Sequence, residues 1–260
     1  MFDFHLHTTV SFDGISTARD MAHTAADRGL CEICFTDHAD CLYERGGTQL
    51  YDLSEYSRAY DHLEVPSLTI RRGTELGLAA WSVDASEKFL AERPYDFVIG
   101  SVHYTEFGDP YYPAFWEGRS SKAAFLCYLE EVLRCVKLHE NFDVLGHLTY
   151  VCKSAHNPTH EPVRYEDFRE ITDEILRVLV RKGKGLEVNT SGVDKAGALL
   201  PSEKFLRRFR ELGGEIVTVG SDAHDVTRVG QYVDDAMELL RDVFGYVCTF
   251  AERKPIFHKL

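Results

Sequence analysis

A chain of 260 residues with 44% hydrophobic content can bury one large core without disulfides or partners. Its net charge of −13 and the lack of any Lys/Arg run argue against a nucleic-acid groove, yet a small anionic substrate stays open because bound metal ions supply local positive charge. The opening Met-Phe-Asp-Phe-His-Leu-His holds no leader, no apolar run reaches membrane-spanning length, and the seven cysteines follow no framework spacing, so a soluble cytoplasmic protein is expected.

In chain order, Phe2 to Leu6 reads as a short apolar strand and Thr17 to Arg28 as a helix stopped by Gly29. Glu32 to Thr36 is a strand ending on Asp37 and His38. A polar loop is expected from Ala39 to Leu53, then a weak helix, then a strand from Leu68 to Arg72 that ends at Gly73-Thr74-Glu75. Ser86 to Glu92 is helical, and Phe97 to Gly100 is a strand leading to Ser101-Val102-His103. The aromatic stretch Tyr104 to Gly118 reads as an irregular loop, and Lys122 to His139 as a helix with apolar residues at helical spacing. Phe142 to Leu145 is a strand ending at Gly146-His147, followed by a polar loop from Thr149 to Arg164 and a helix from Tyr165 to Lys182. Strand Gly185 to Val188, the turn Asn189-Thr190-Ser191-Gly192, helix Ser202 to Leu212, strand Glu215 to Val219 and the turn Ser221-Asp222-Ala223-His224 complete the series.

Seven strands alternating with helices imply parallel pairing and right-handed crossovers, in an open sheet or a closed barrel. An open sheet collects its ligands at one switch point, whereas here nearly every strand ends on a metal-capable or proton-handling side chain. Only a closed or nearly closed barrel focuses those ends on one centre, so one α/β barrel domain over residues 1–260 is expected.

His5 and His7 lie two apart on a strand, point to one face and can chelate one ion. That pair alone is weak evidence, but Asp13, His38, Glu75, His103, His147, Asp222 and His224 answer it from other strand ends. Six histidines with three carboxylates suit zinc, manganese or iron better than calcium or magnesium alone. Nine donors exceed the needs of one tetrahedral ion, while two or three ions sharing a carboxylate can grip a phosphoryl group and activate water. His23, His62, His139, His156, His160 and His258 read as surface residues, and Cys31-x-x-Cys34, with no second pair to close a zinc site, as buried strand thiols.

These residues carry a resemblance. His5-x-His7 with Asp13, Thr36-Asp37-His38, Glu75, His103, Gly146-His147 and Ser221-Asp222-Ala223-His224 resemble the motif set of the polymerase and histidinol phosphatase (PHP) superfamily. Gly100 to Tyr104, Phe142 to His147, Glu187 to Gly192 and Glu211 to Glu215 resemble the monofunctional histidinol-phosphate phosphatases in particular. The resemblance implies a distorted seven-stranded (β/α) barrel of TIM-like type holding three divalent ions. It implies that His5, His7, Glu75 and Asp222 hold the first ion, that Glu75 bridges to a second held by His103 and His147, and that Asp13, His38 and His224 hold the third. Asp37 would orient a ligand imidazole or handle protons, so Asp37, Glu75 and Asp222 form the expected catalytic set.

Three dications against three carboxylates leave a centre positive enough to bind a phosphate dianion and to lower the pKa of a bridging water. The expected chemistry is in-line attack of that hydroxide on phosphorus, with no covalent enzyme intermediate. Where the family clamps phosphate with arginines, this chain has Lys153 and Lys195, with Asp194 beside the second, so ammonium charges would replace a guanidinium fork. Asn189, Tyr104 and Arg119 are further candidates for contact with substrate. The leading expectation is hydrolysis of L-histidinol phosphate in histidine biosynthesis. Another small phosphate ester, an amidohydrolase-like C–N bond, and a non-catalytic metal module are the alternatives, and no feature of the sequence sets an oligomeric state.

Overall fold

The computed structural model describes residues 1–41 and 48–260, so part of the loop expected from Ala39 to Leu53 lies outside the described residues. In chain order the strands are β1 (Phe2–Leu6), β2 (Glu32–Phe35), β3 (His38–Asp40), β4 (Gln49–Leu50), β5 (Thr69–Gly77), β6 (Phe97–Ser101), β7 (Val144–Leu145), β8 (Gly185–Asn189) and β9 (Val217–Gly220). Seven of them run in parallel in the order β1-β2-β5-β6-β7-β8-β9, while β3 prolongs the β2 position along β5 and pairs with β4 on its other side. The ends of the sheet meet: Leu6 bridges Ala223, His7 N–H donates to the Ala223 carbonyl at 2.9 Å, and Asp222 N–H to the His5 carbonyl at 2.9 Å. The result is the nearly closed seven-stranded barrel expected from the alternation of elements.

The main helices are α1 (Ala18–Asp27), α2 (Leu53–Tyr60), α3 (Val83–Ala91), α4 (Pro113–Trp116), α5 (Ser121–Leu138), α6 (Arg169–Arg181), α7 (Val193–Ala196), α8 (Glu203–Glu211) and α9 (Val233–Val243). Thr17 caps α1 by accepting from Asp20 N–H, as a β-hydroxyl at that position should. None of these helices is long and apolar enough to cross a membrane.

Alternation along the strands sorts side chains into two layers. Val98, Leu145, Leu186 and Val188 face the helices, while Phe97, Ile99 and Val144 meet Phe4, Cys34 and Phe250 in a second buried cluster inside the barrel. A one-residue register shift in β1 between Asp3 and Leu6 lets Phe4 join this floor while its neighbour His5 also faces inward, above it. The site therefore rests on a dry apolar plug.

Several expectations change. Glu75 lies inside a nine-residue strand rather than after a short one, held between His38 of β3 and Ile99 of β6. His139 is buried, its Nε2 at 2.9 Å from the Ala79 carbonyl, and Cys31 is exposed. The sequence reading ends before α9 and before an antiparallel hairpin, β10 (Tyr246–Ala251) and β11 (Lys254–Lys259), whose Phe250 completes the barrel floor. Arg253 pins the hairpin by donating from Nε to Asp143 at 2.6 Å.

Candidate metal centre

Glu75 is the hub. Its Oε2 lies 3.2 Å from His5 Nε2, 3.4 Å from His7 Nε2 and 2.9 Å from His38 Nδ1, and its Oε1 lies 3.1 Å from His103 Nε2 and 2.7 Å from His147 Nε2. One buried carboxylate is thus ringed by five imidazoles. Asp222 Oδ1 stands 3.4 Å from His7 Nε2 and 3.8 Å from His5 Nε2, and Asp13 Oδ2 stands 3.4 Å from His38 Nε2 and 3.1 Å from His224 Nε2. All nine donors singled out in the sequence converge.

Whether they fit metal follows from their orphaned atoms. His5 Nε2, His7 Nε2, His38 Nδ1 and Glu75 Oε2 are buried without a hydrogen-bond partner, although they lie close together. Unpaired buried polar atoms are costly, and nitrogens that gather at 2.9–3.4 Å from an oxygen without bonding to it aim their lone pairs at shared points. Donor atoms of His5, His7 and Glu75, of Glu75, His103 and His147, and of His7, His38 and His224 each fall within 4.8 Å of one another. Mixed imidazole and carboxylate donors in such groups suit a divalent transition metal.

The far sides of four rings are anchored, while His147 Nδ1 is buried without a hydrogen-bond partner. His5 Nδ1 meets Glu187 Oε1 at 2.5 Å, His103 Nδ1 meets Asp40 Oδ1 at 3.0 Å, His224 Nδ1 meets the Asp222 carbonyl at 3.0 Å, and His7 Nδ1 meets Ser11 Oγ at 3.4 Å. Each contact holds Nε2 toward the centre, and the three whose partner can only accept, at His5, His103 and His224, favour the tautomer whose Nε2 lone pair is free. Glycines make the room: a Cβ on Gly220 would stand 2.3 Å from His5 Cβ, and one on Gly77 would strike the Asp40 carboxylate at 2.0 Å.

Electrostatics favour positive charge at His5 and His103 but not at His7, which burial and the neighbouring His224 and His38 hold well below the usual imidazole range. Burial opposes protonation of His103, but Asp40 and Glu75 outweigh it and push its pKa up to about 10. Burial likewise opposes charge on His5, and Glu187, Glu75 and Asp222 raise it all the same. Burial acts to raise Glu75, yet the surrounding histidines hold it well below the usual carboxylate range. Asp37 differs, since burial drives it up to about 6 despite hydrogen bonds from Tyr60, Thr8 and Ser11. Its Oδ1 accepts from Thr8 N–H at 2.8 Å and Ser11 N–H at 3.2 Å, and Ser11 Oγ in turn accepts from His38 N–H at 2.8 Å. Asp37 therefore reaches the His38 backbone and the His7 imidazole at one remove, through Ser11.

A cavity of about 550 Å³ opens over the centre, lined on its floor by His38, His103, His147, Asp222 and His224. Lys153 and Lys195 line it; Lys153 Nζ donates to Asp222 Oδ2 at 2.6 Å and to Ser191 Oγ at 2.9 Å. Three other candidates do not line it. Asn189 is fully buried below, its Oδ1 accepting from Ser191 N–H at 3.0 Å and its Nδ2 3.3 Å from Glu187 Oε2. Tyr104 is half-buried with its ring edge-on to Trp81. Arg119 bonds the Phe115 carbonyl and sits 4.9 Å over the Phe107 ring, bracing the aromatic loop. That loop instead presents Asp109, Tyr111 and Tyr112 to the cavity.

Sequence reasoning missed the ring anchors Glu187 and Asp40, and it missed that Arg228 lines the cavity. Glu187 had a signal, a carboxylate two residues before Asn189 in an otherwise apolar strand, and Asp40 had one too, two residues beyond His38 on the same strand face. Arg228 had none.

A family model described as PHP domain matches residues 3–191. The histidinol-phosphatase of Lactococcus lactis is 33% identical over 97% of this chain and 95% of its own length, and the protein of Clostridium acetobutylicum named probable histidinol-phosphatase is 27% identical over 99% and 96%. A crystal structure of histidinol phosphate phosphatase from Lactococcus lactis, complexed with zinc, L-histidinol and phosphate, superposes with a TM-score of 0.87 at 29% identity, covering 98% of both chains. A crystal structure from Listeria monocytogenes, 21% identical and covering 90% of this chain and 99% of that one, shares the fold with a TM-score of 0.75.

Proposed function

This chain belongs to the PHP domain family, and from that membership we propose that it is a metal-dependent phosphomonoesterase that hydrolyses L-histidinol phosphate to L-histidinol and phosphate, a step of histidine biosynthesis, in the cytoplasm. One observation carries the reading: a full-length likeness, at 29% identity, to an enzyme captured with zinc, L-histidinol and phosphate. The convergence of imidazoles on Glu75 beneath a cavity bearing two lysines supports the same chemistry.

In this reading three divalent ions, zinc, manganese or iron, would be held by His5, His7, Glu75 and Asp222, by Glu75, His103 and His147, and by Asp13, His38 and His224. When bound, such ions supply positive charge to the phosphoryl oxygens and acidify water beside them. The protein's share is positioning. Glu75 offers one oxygen to each of two groups of rings, Glu187 and Asp40 keep His5 and His103 turned inward, and Lys153 and Ser191 present donors from the wall beside Asp222. The cavity also carries Asp40 and Asp109 with the rings of Phe12, Tyr111 and Tyr112, which suits a ligand having an ammonium group and a flat ring as well as a phosphate. No nucleic acid or membrane enters this reading, in keeping with the net charge of −13.

The test is phosphate release by protein reconstituted with zinc, manganese or iron, from L-histidinol phosphate beside a panel of other phosphomonoesters, with His103→Ala as control. Preference for L-histidinol phosphate, abolished in the control, is expected. Metal-dependent release from other esters but not from this one would overturn the substrate, and no release at all would overturn the reaction.

A further inference from the structure

We infer that Arg228, steered by Asp194, binds the phosphate group of the ligand and makes the cavity prefer phosphate esters over the free alcohol, an inference that rests on the phosphoesterase reading above. Arg228 ends the short 3₁₀ turn Val226–Arg228 and lines the same cavity as Lys153, Lys195 and Ser191. Its Nη1 donates to Asp194 Oδ2 at 3.0 Å, and among the described residues nothing holds Nε or Nη2. One arm of the fork is fixed and the other donors remain for a ligand.

Asp194 is itself braced, since its Oδ1 accepts from the Tyr232 hydroxyl at 2.6 Å and its Oδ2 accepts from Gln231 Nε2 at 3.3 Å. It does not line the cavity. A phosphate entering there meets the guanidinium that Asp194 steers, not the carboxylate. The turn carrying Arg228 is anchored as well: Arg28 donates from Nη1 to the Val229 carbonyl at 2.5 Å and from Nη2 to the Thr227 carbonyl at 3.1 Å.

The neighbouring charges point to an anion. Lys195 has no side-chain hydrogen bond or ion pair among the described residues, and its pKa is lowered by burial and by repulsion from Lys153 and Arg228, against the pull of Asp222. Lys153 is paired with Asp222 and Arg228 with Asp194, so Lys195 is the cation of this wall that has no carboxylate partner among the described residues, a deficit that an anionic ligand offsets. Lys153 and Lys195 give point charges, whereas a planar fork pairs with two phosphoryl oxygens at once and adds orientation.

The experiment uses the zinc-loaded protein and its R228Q, R228K and D194N variants. Binding of inorganic phosphate and, separately, of L-histidinol is measured by calorimetry, beside KM and kcat on L-histidinol phosphate. R228Q is expected to weaken phosphate binding and raise KM by roughly ten- to a hundredfold, the scale of a lost charge-assisted pair, with kcat changed far less and L-histidinol binding unchanged. R228K should fall between wild type and R228Q, and D194N should follow the same direction less strongly. Phosphate binding within about twofold of wild type in R228Q overturns the assignment. Should R228Q not fold, R228K decides alone, an unchanged phosphate affinity overturning it. Wild-type protein that binds phosphate through Arg228 but does not cleave L-histidinol phosphate would sink the substrate reading and leave this assignment standing.

Discussion

Glu187→Gln tests the idea that ring anchors, and not donors alone, make the centre. Glu187 is 1% exposed, with Oε1 at 2.5 Å from His5 Nδ1 and Oε2 accepting from His147 N–H at 2.7 Å. An amide cannot keep both contacts. With its NH₂ toward His5, Nδ1 must become the acceptor, so the proton moves to Nε2 and blocks the lone pair that faces Glu75. With its NH₂ toward His147, two donors confront each other in a dry site, which costs about 1–3 kcal/mol. Either arrangement should lower metal affinity by roughly 10- to 100-fold, the usual effect of losing such an anchor, equivalent to about 1.4–2.8 kcal/mol. The assay is zinc competition against a chelator of known affinity, beside thermal melting of the chelated protein. A zinc affinity within about twofold of wild type, in protein that melts normally, would refute the reasoning.

Other expectations are simpler. Lys153→Met removes the ammonium that bonds Asp222 and Ser191 in the cavity wall, so kcat/KM on a phosphate ester should fall by at least about tenfold, read by phosphate release. Arg119→Ala should leave KM and kcat within about twofold, because its guanidinium serves the Phe115 carbonyl and the Phe107 ring outside the cavity; a tenfold rise in KM would place it at the substrate after all. Phe250→Ala opens the barrel floor against Phe97, whose ring centroid lies 4.8 Å away, and should cost about 3–5 kcal/mol in urea unfolding. Asp173 is held down to about 2 by Arg208, helped by Tyr165 and Arg177, so its folded pKa lies below its ordinary value and its contribution is present above pH 4. In chelated protein the melting-temperature gap between wild type and Asp173→Asn should be widest above pH 4 and shrink as pH falls toward 2; a gap that stays constant over this range would contradict the assignment.

The nine candidate metal donors are legible because their chemistry is rare and their positions repeat. A histidine pair two apart on one strand, and histidine or carboxylate at strand end after strand end, leave few folds other than a barrel in which they meet. Glu75 stands out by its type, yet its strand reads as ending at Arg72 because Arg71-Arg72-Gly73-Thr74 carries no apolar run. Pairing on both sides, to β2 and β3 on one and β6 on the other, overrides that weak local preference. The final hairpin escaped notice for a similar reason. Its turn residues Glu252 and Arg253 adopt φ of 49° and 64°, where Asn-Gly would have announced a tight turn.

The supporting and substrate-facing residues were less legible because only the closed barrel defines them. His5 and Glu187 are 182 positions apart and Asp194 and Arg228 are 34 apart, and no spacing rule links either pair. Asn189 illustrates the limit: a polar residue at a strand end reads as a contact for substrate, but it shares the inward face with Glu187, two positions earlier, and its amide is spent on Ser191 and the Glu187 carboxylate beneath the centre. Asp194 illustrates the converse. In the linear chain it is an anion next to a presumed phosphate-binding lysine, whereas in the fold Arg228 and Tyr232 engage it away from the cavity, so its charge orients a cation instead of opposing the ligand. Metal chemistry is written in residue types, which a sequence displays. Ligand specificity depends on which generic carboxylate meets which generic cation, and that is decided by barrel closure and by the turns above it.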